Sequence, residues 1–390
     1  MRAYGLILGA LATAPSLAAG ATCTSHTIKV TARASNRVIF APTTDLTSPS
    51  GVLSFLGSGA GLLGQLTGFI PVSGTYDIAA KFCQPQQSPQ APAGRATEVQ
   101  LLLHGVPYNS SYWFGLPGNP DGTAEYDWVE YATSLGYPVL AIDNLGAGDS
   151  QKANPLTEVQ QPLQTAIVHH IVQQLRAGEL SFAPKASKVI FVGHSLASVI
   201  GNAIATKFPT DLDALILTGW SYNLVQAGLG LLLTLVTPAQ LQNPAKFGSL
   251  PPGYLAFGSR QGKRDAYYAE DGTFSSALEQ WDFEHQDTIT LGQIVSAFSG
   301  LQRADGFRGD VLALTGQEDA FFCGPTGSRA LGPQTCGEGD NSVPAKSRTF
   351  FSNANFEYYL APNTSHATTL HYSTPGSIMA AHDFLARSGY

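Results

Sequence analysis

The chain has 390 residues, 44% of them hydrophobic and only 13% charged, and its 21 Lys and Arg against 28 Asp and Glu give a net charge of −7. This apolar content excludes an intrinsically disordered chain, and charge at about half the usual ~25% excludes long solvated helices and coiled coils. The acidic balance also argues against a nucleic-acid partner, because Lys and Arg carry that affinity by neutralising phosphates.

Residues 1–21 read as a secretory signal peptide: Arg2, an apolar stretch from Leu6 to Ala14, then Pro15 and the small residues Ser16, Ala18, Ala19 and Gly20. The apolar stretch is shorter than the ~20 residues a bilayer requires, so a secreted, extracellular protein is expected. No later stretch is long enough to span a membrane; the most apolar, Leu224–Val236, is interrupted by Gln226, Gly228 and Gly230. Residues 22–97 are taken as an N-terminal preface. It has strands at Thr27–Ala32, Arg37–Phe40 and Ile78–Phe82, a loop or short packing element over Ser48–Gly74, and a Pro- and Gln-rich loop over Gln84–Gly94. Cys23, Cys83, Cys323 and Cys336 form an even set in an exported chain, so disulfides are expected. Three pairings are open, with Cys23–Cys83 and Cys323–Cys336 favoured as local clamps. Asn109 and Asn363 head Asn-x-Ser/Thr acceptors for N-glycosylation.

From Glu98 onward, apolar strands alternate with amphipathic helices: strand Glu98–Leu103, helix Tyr126–Leu135, strand Pro138–Ile142, helix Glu158–Arg176, strand Lys188–Val192, helix Leu196–Phe208 and strand Ala214–Thr218. Near-continuous apolar strands between such helices predict an α/β fold with a mostly parallel sheet covered on both faces. Residues 219–308 interrupt the alternation with helical patches at Leu224–Val236, Ser275–Phe283 and Thr290–Phe298 and no convincing strand, which predicts a helical cap after the sixth core strand. Strands Val311–Leu314 and Phe356–Leu360 and helix Ser377–Arg387 complete the core, assigned to 98–218 and 309–390.

Strand Lys188–Val192 runs into Gly193-His194-Ser195-Leu196-Ala197 and then a helix, the strand–turn–helix context of a nucleophile elbow. Such a turn needs small residues two before and two after the nucleophile, and Gly193 and Ala197 meet that need. The helix start after Ser195 offers free N–H groups to a developing oxyanion, Leu196 first among them. His104-Gly105-Val106-Pro107 ends an earlier strand, where Gly105 permits close approach to a ligand and the Val106 N–H is the candidate second oxyanion donor. Asp319 follows strand Val311–Leu314, with Glu318 as its neighbour and competitor. His366 follows the last strand, with His371 and His382 as competitors read as polar surface or packing residues. An acid in this position can hold a histidine in one tautomer and stabilise its imidazolium. The order Ser195, Asp319, His366 separates this arrangement from the two other well-known serine-hydrolase orders.

These residues, with Asp143-Asn-Leu-Gly146-Ala-Gly148-Asp-Ser150 after a strand, resemble the α/β-hydrolase superfamily from about Glu98 to the C-terminus, and the overall look is similar to its secreted fungal members. The resemblance implies Ser195 as nucleophile, His366 as base, Asp319 as its orienting acid and the 219–308 segment as a lid. Two departures are Ala197 where glycine is commoner and a single His-Gly without a run of glycines. The implied reaction is hydrolysis of an ester or lactone of a hydrophobic small molecule through an acyl-serine. The apolar lid residues Leu231, Leu232, Leu233, Tyr254, Phe257, Tyr267 and Tyr268 suggest the substrate class, and His104, Gly105, His194, Tyr254 and Tyr267 are the candidate substrate contacts. Three alternatives stay open. One is an acyltransferase or secondary-metabolite tailoring enzyme with the same triad. Another is an aminopeptidase-like hydrolase gripping an amine with Glu270, Asp271, Glu279 or Asp282, and the third is a non-catalytic binding protein on the same scaffold. No metal, nucleotide or other cofactor is expected, since the sequence has no His-Glu-x-x-His, Cys-x-x-Cys, calcium loop or P-loop. The oligomeric state is left open.

Overall fold

The architecture comes from a computed structural model that describes residues 21–39, 45–57, 68–85, 92, 94–223, 234, 236–297 and 301–390. Residues 1–20 of the expected signal peptide, Leu231–Leu233 and most of the helical patch at Leu224–Val236 lie outside the described residues. Among the described residues, no helix is long and apolar enough to cross a membrane.

Eleven strands are described: β1 (Cys23–Arg37), β2 (Phe69–Cys83), β3 (Glu98–Leu103), β4 (Val139–Ile142), β5 (Lys188–His194), β6 (Ala214–Thr218), β7 (Val236–Pro238), β8 (Tyr254–Phe257), β9 (Ile289–Thr290), β10 (Asp310–Gly316) and β11 (Asn355–Ala361). Eight of them form one sheet in the order β1-β2-β4-β3-β5-β6-β10-β11. From β4 to β11 the neighbours pair in parallel. Strands β3, β5, β6 and β10 are buried along nearly their whole length, as expected where helices cover both faces. The crossovers include helices Trp128–Ser134, Gln161–Ala177 and Leu196–Lys207, and Thr374–Arg387 closes the chain.

The boundary expected at residue 98 does not separate a preface from the core. β2 continues the sheet by pairing antiparallel with β4, from Ala80 opposite Ile142 to Cys83 opposite Val139. β1 and β2 are also single strands of 15 residues each, where shorter pieces were expected. Their exposed and buried residues alternate, because one face packs inward while the other meets solvent. The Ser48–Gly74 stretch, read as a loop or short packing element, contains helix Pro49–Gly57, which buries Val52, Phe55 and Leu56, and the start of β2. Cys23 and Cys83 face each other across the β1–β2 ladder and are bridged, and Cys323 is bridged to Cys336.

The cap is not wholly helical. Strands β7, β8 and β9, of three, four and two residues, make a small antiparallel sheet. Helices Arg260–Tyr267, Ser276–Glu284 and Leu291–Ala297 pack around it. Gln286 substitutes for a missing neighbour strand, its Oε1 accepting from the Phe257 N–H at 2.9 Å and its Nε2 donating to the Phe257 carbonyl at 3.0 Å.

Candidate active site

Three loops at the C-terminal ends of β5, β10 and β11 bring the site together. Ser195 stands between β5 and helix Leu196–Lys207 with φ 55° and ψ −116°. A non-glycine residue in this region costs on the order of 1–3 kcal/mol and persists only where its surroundings enforce it. They do so here: the Ser195 N–H donates to the Thr218 carbonyl at 2.9 Å. At Gly193 a Cβ would lie 2.7–2.9 Å from the Phe191 ring and the Ala197 backbone, so only glycine fits under the turn.

His366 Nε2 is 2.8 Å from Ser195 Oγ, and His366 Nδ1 is 3.0 Å from Asp319 Oδ2. Because the carboxylate only accepts, Nδ1 carries the ring proton and the Nε2 lone pair faces the serine hydroxyl. The other Asp319 oxygen, Oδ1, accepts from the N–H groups of Phe321 and Phe322, each at 2.9 Å. Its backbone carbonyl accepts from Cys323 and Gly324, so the Cys323–Cys336 loop wraps the acid. Glu318, the competing acid, turns instead toward Arg329 at 3.6 Å.

The competing histidines are packing groups. His371 Nδ1 donates to the Ala367 carbonyl at 2.8 Å while its Nε2 accepts from Ala269 N–H at 3.1 Å. His382 Nδ1 donates to the Ile378 carbonyl at 2.8 Å, and Gln100 Nε2 donates to its Nε2 at 3.1 Å. Burial pulls both rings down to about 4, because protonation would place a charge where no water reaches it.

Beside Ser195, a Cβ on Gly105 would come within 2.8 Å of Ser195 Cβ and of the His194 carbonyl, so the 105–106 backbone lies directly on the serine. The carbonyl of that peptide, Gly105 O, accepts from His104 Nδ1 at 2.7 Å and from Tyr108 N–H at 3.3 Å. Among the described residues, the Val106 N–H meets no acceptor. The N–H of Leu196, first residue of its helix, has no intrahelical partner.

The structure corrects several expected substrate contacts. His104 has no exposed surface, and its second nitrogen, Nε2, accepts from Asn144 N–H at 2.9 Å, so both nitrogens serve the protein. His194 is equally buried. Its ring stacks on Tyr112 at 4.6 Å with Nδ1 bonded to Thr218 Oγ1 at 3.1 Å, and burial depresses its pKa well below the usual histidine range. Tyr254 belongs to the cap's own small apolar cluster, and its hydroxyl donates to the Ala153 carbonyl at 2.7 Å. Tyr267 does reach the site, with its ring 5.0 Å edge-on to His366, but its hydroxyl donates to the Val106 carbonyl at 2.6 Å. Of the glycan acceptors, Asn363 is exposed. Asn109 is half-buried: its Nδ2 donates to Asp287 Oδ2 at 3.1 Å and its Oδ1 accepts from the Ser111 N–H at 2.9 Å.

Sequence reasoning missed Phe321, Phe322 and Asp287, and gave Asn144, although part of a quoted motif, no role of its own. Phe321 and Phe322 flank the His366 ring at 4.8 and 5.6 Å; their place directly after the acid was the available signal. Asp287 binds the Asn109 side chain and the Gly148 N–H from the cap side, a relation no local pattern displays.

The fold that presents Ser195, Asp319 and His366 at its strand ends is shared with known proteins. Residues 100–381 match the model of the Alpha/beta hydrolase family, and the chain belongs to that family. A monoglyceride lipase from Saccharomyces cerevisiae, solved as a soluble variant with a substrate analogue, superposes with a TM-score of 0.52 at 14% identity, covering 80% of this chain and 92% of that one. A thermophilic esterase from Thermogutta terrifontis superposes with a TM-score of 0.50 at 13% identity, covering 81% of this chain and 96% of that one. At such identities the likeness is one of fold. No curated protein sequence matches the chain.

Proposed function

We propose that this chain is a secreted serine hydrolase that cleaves an ester or lactone of a hydrophobic small molecule through an acyl-serine intermediate. The observation that carries this reading is the continuous hydrogen-bonded line from Ser195 Oγ through both nitrogens of His366 to Asp319 Oδ2. As the Ser195 oxygen attacks the ester carbonyl, its proton passes to His366 Nε2, and the Asp319 carboxylate stabilises the imidazolium that forms. The N–H groups of Leu196 and Val106 hold the tetrahedral oxyanion. Its collapse breaks the ester C–O bond, the alcohol leaves with the proton from Nε2, and water then repeats the cycle to release the acid and restore Ser195.

The surroundings favour an ester over a peptide N-terminus. Gripping an amine requires an uncommitted carboxylate, and each of the four cap candidates already faces a cation. Glu279 pairs with Arg260 at 2.6 Å, Asp282 with Lys263 at 2.8 Å, Glu270 with Arg329 at 3.7 Å, and Asp271 with Arg264. The aromatic wall of Tyr267, Phe321 and Phe322 around His366 suits an apolar substrate. Two disulfides and the leader-like N-terminus support an oxidising, extracellular setting.

Intact-mass measurement after exposure to a fluorophosphonate tests the reading. A single adduct on the wild type that vanishes in Ser195→Ala, with kcat on aryl esters down by roughly 10⁴–10⁶, is expected. A folded wild-type protein that takes no adduct would sink it, and turnover of aminoacyl anilides in preference to aryl esters would redirect it to peptides.

A further inference from the structure

The loop that carries the Val106 N–H is held from two sides. The core holds the 105–106 peptide through His104 and Tyr108, as described above. The next two carbonyls belong to the cap: Val106 O accepts from the Tyr267 hydroxyl, and Pro107 O accepts from the Asp287 N–H, both at 2.6 Å. A crevice of about 70 Å³ lies between cap and loop among Pro107, Tyr108, Trp281 and Asp282. Tyr267 also reaches the other side of the site. Its backbone carbonyl accepts from the Ala367 N–H at 2.9 Å, one residue beyond His366, and its ring lies edge-on to both His366 and Phe321. One fully buried cap residue therefore touches the backbone beside the base and the backbone beside the oxyanion donor.

We propose that Tyr267 is a positioning residue of the oxyanion hole: seating of the cap places its hydroxyl on the Val106 carbonyl and so fixes the backbone angle that keeps the Val106 N–H facing Ser195. Peptide units are planar, so a residue's N–H direction is set by the two torsions that flank each plane. With Gly105 O and Val106 O both anchored, little rotation remains at Val106. The hydroxyl cannot serve as a third oxyanion donor, because its one proton is committed to the carbonyl. Burial raises its pKa well above the usual tyrosine value, which keeps that proton in place. The proposal deepens the hydrolase reading and depends on it.

The test is Tyr267→Phe, which removes the hydroxyl and leaves the ring and the Ala367 contact, compared with Tyr390→Phe. The Tyr390 hydroxyl has two acceptors for its one proton, Asp213 O and Asp310 Oδ2, each at 2.9 Å, and it lies beside the first residues of β6 and β10, at the opposite end of the strands from the site. In Tyr267→Phe, kcat on an aryl ester should fall about tenfold or more, a smaller effect than deleting an oxyanion donor outright. KM should hold, affinity for an aryl boronic acid should weaken by the same factor, and the acid limb of the pH–rate profile should stay where it is. Tyr390→Phe should lose at least as much thermal stability with kcat unchanged.

Wild-type kcat in Tyr267→Phe with the same stability loss would overturn the proposal and leave a purely structural bond. A rise in KM alone would overturn it in favour of a substrate contact. A shifted acid limb would overturn it by placing the effect on His366. Fluorophosphonate labelling of the wild type keeps the two levels apart: wild type labelled with Tyr267→Phe unimpaired removes only this proposal, whereas an unlabelled wild type removes the hydrolase reading beneath it.

Discussion

The central sheet and the cap bury similar kinds of surface by different means. In β3, β5, β6 and β10 the interior is apolar and, Phe191 apart, aliphatic: Leu101–Leu103, Val189–Val192, Leu215–Leu217 and Val311–Leu314 are all at most 3% exposed. In the cap the interior is charged as well as aromatic. Lys263 and Asp282, each 1% exposed, form an ion pair under the Tyr108 ring, and Tyr268 donates to the same carboxylate at 2.8 Å. Apolar burial is non-directional and shared among many contacts, whereas a buried ion pair depends on two atoms and offsets a large desolvation cost. The sheet therefore tolerates local change and the cap does not. All three members of the line Ser195–His366–Asp319 issue from sheet strands, while the carbonyls beyond the oxyanion peptide are held by the cap.

The largest expected effect isolates the sheet's share. In Asp319→Asn the Phe321 and Phe322 N–H groups keep their acceptor, so the loop stays in place. The amide, however, donates to His366 Nδ1 and leaves the ring proton on Nε2, facing Ser195. We expect kcat to fall by about 10⁴ with thermal stability close to wild type. A fall of less than tenfold would show that the cap environment, not the acid, selects the histidine tautomer.

The next effect belongs to the cap. Lys263→Met leaves the buried Asp282 carboxylate without its cation, with only the Tyr268 and Tyr108 hydroxyls, at 2.8 and 3.4 Å, still facing it, at about 3–5 kcal/mol. Desolvation already pulls the Lys263 pKa down, and Asp282, ahead of Glu279, is the chief influence that opposes it. The double variant Lys263→Met with Asp282→Leu should recover much of the loss in chemical denaturation. If the single variant costs under 1 kcal/mol, the contrast drawn between sheet and cap is wrong.

This contrast also explains what could be read from the sequence. β3 to β6, β10 and β11 are legible because a strand buried on both faces is a run of apolar letters, and the elbow is legible because its steric demand falls on Gly193 and Ala197, fixed positions beside Ser195. β1 and β2 were cut short because a half-exposed strand mixes Thr, Ser and Arg with its apolar residues. The cap sheet was missed because two to four residues carry no measurable period, and part of its edge is completed by the side chain of Gln286. His104 and His194 look available to substrate because they stand at strand ends, and Tyr254 because it belongs to an aromatic lid; each is instead bound to a partner between 1 and 101 positions away. Satisfaction of buried polar groups is a property of the assembled fold, and a single sequence does not display it.

His371 and His382 give the smallest and most direct comparison of the two regions, since both are neutral, buried and held down to about 4 by burial. His382 lies under the sheet, bonded to Gln100 of β3. His371 lies at the cap seam, where its Nε2 accepts from Ala269 of the cap. A histidine whose folded pKa is below its unfolded value of 6.5 contributes stability that is present above 6.5 and is lost as the pH falls toward 4, because the unfolded chain takes up the proton first. The drop of about 2.5 units corresponds to roughly 3 kcal/mol for each ring. Melting temperature should therefore decline between pH 6.5 and 4, with the slope reduced in His382→Gln and in His371→Gln. The regions part in the order of events. Protonation of His371 removes the acceptor that ties Ala269 to the histidine loop, so amide exchange in the cap should rise at a pH where the sheet is still protected. Simultaneous loss of protection in both would mean that cap and sheet unfold as one unit, and that the polar seam is as cooperative as the apolar core.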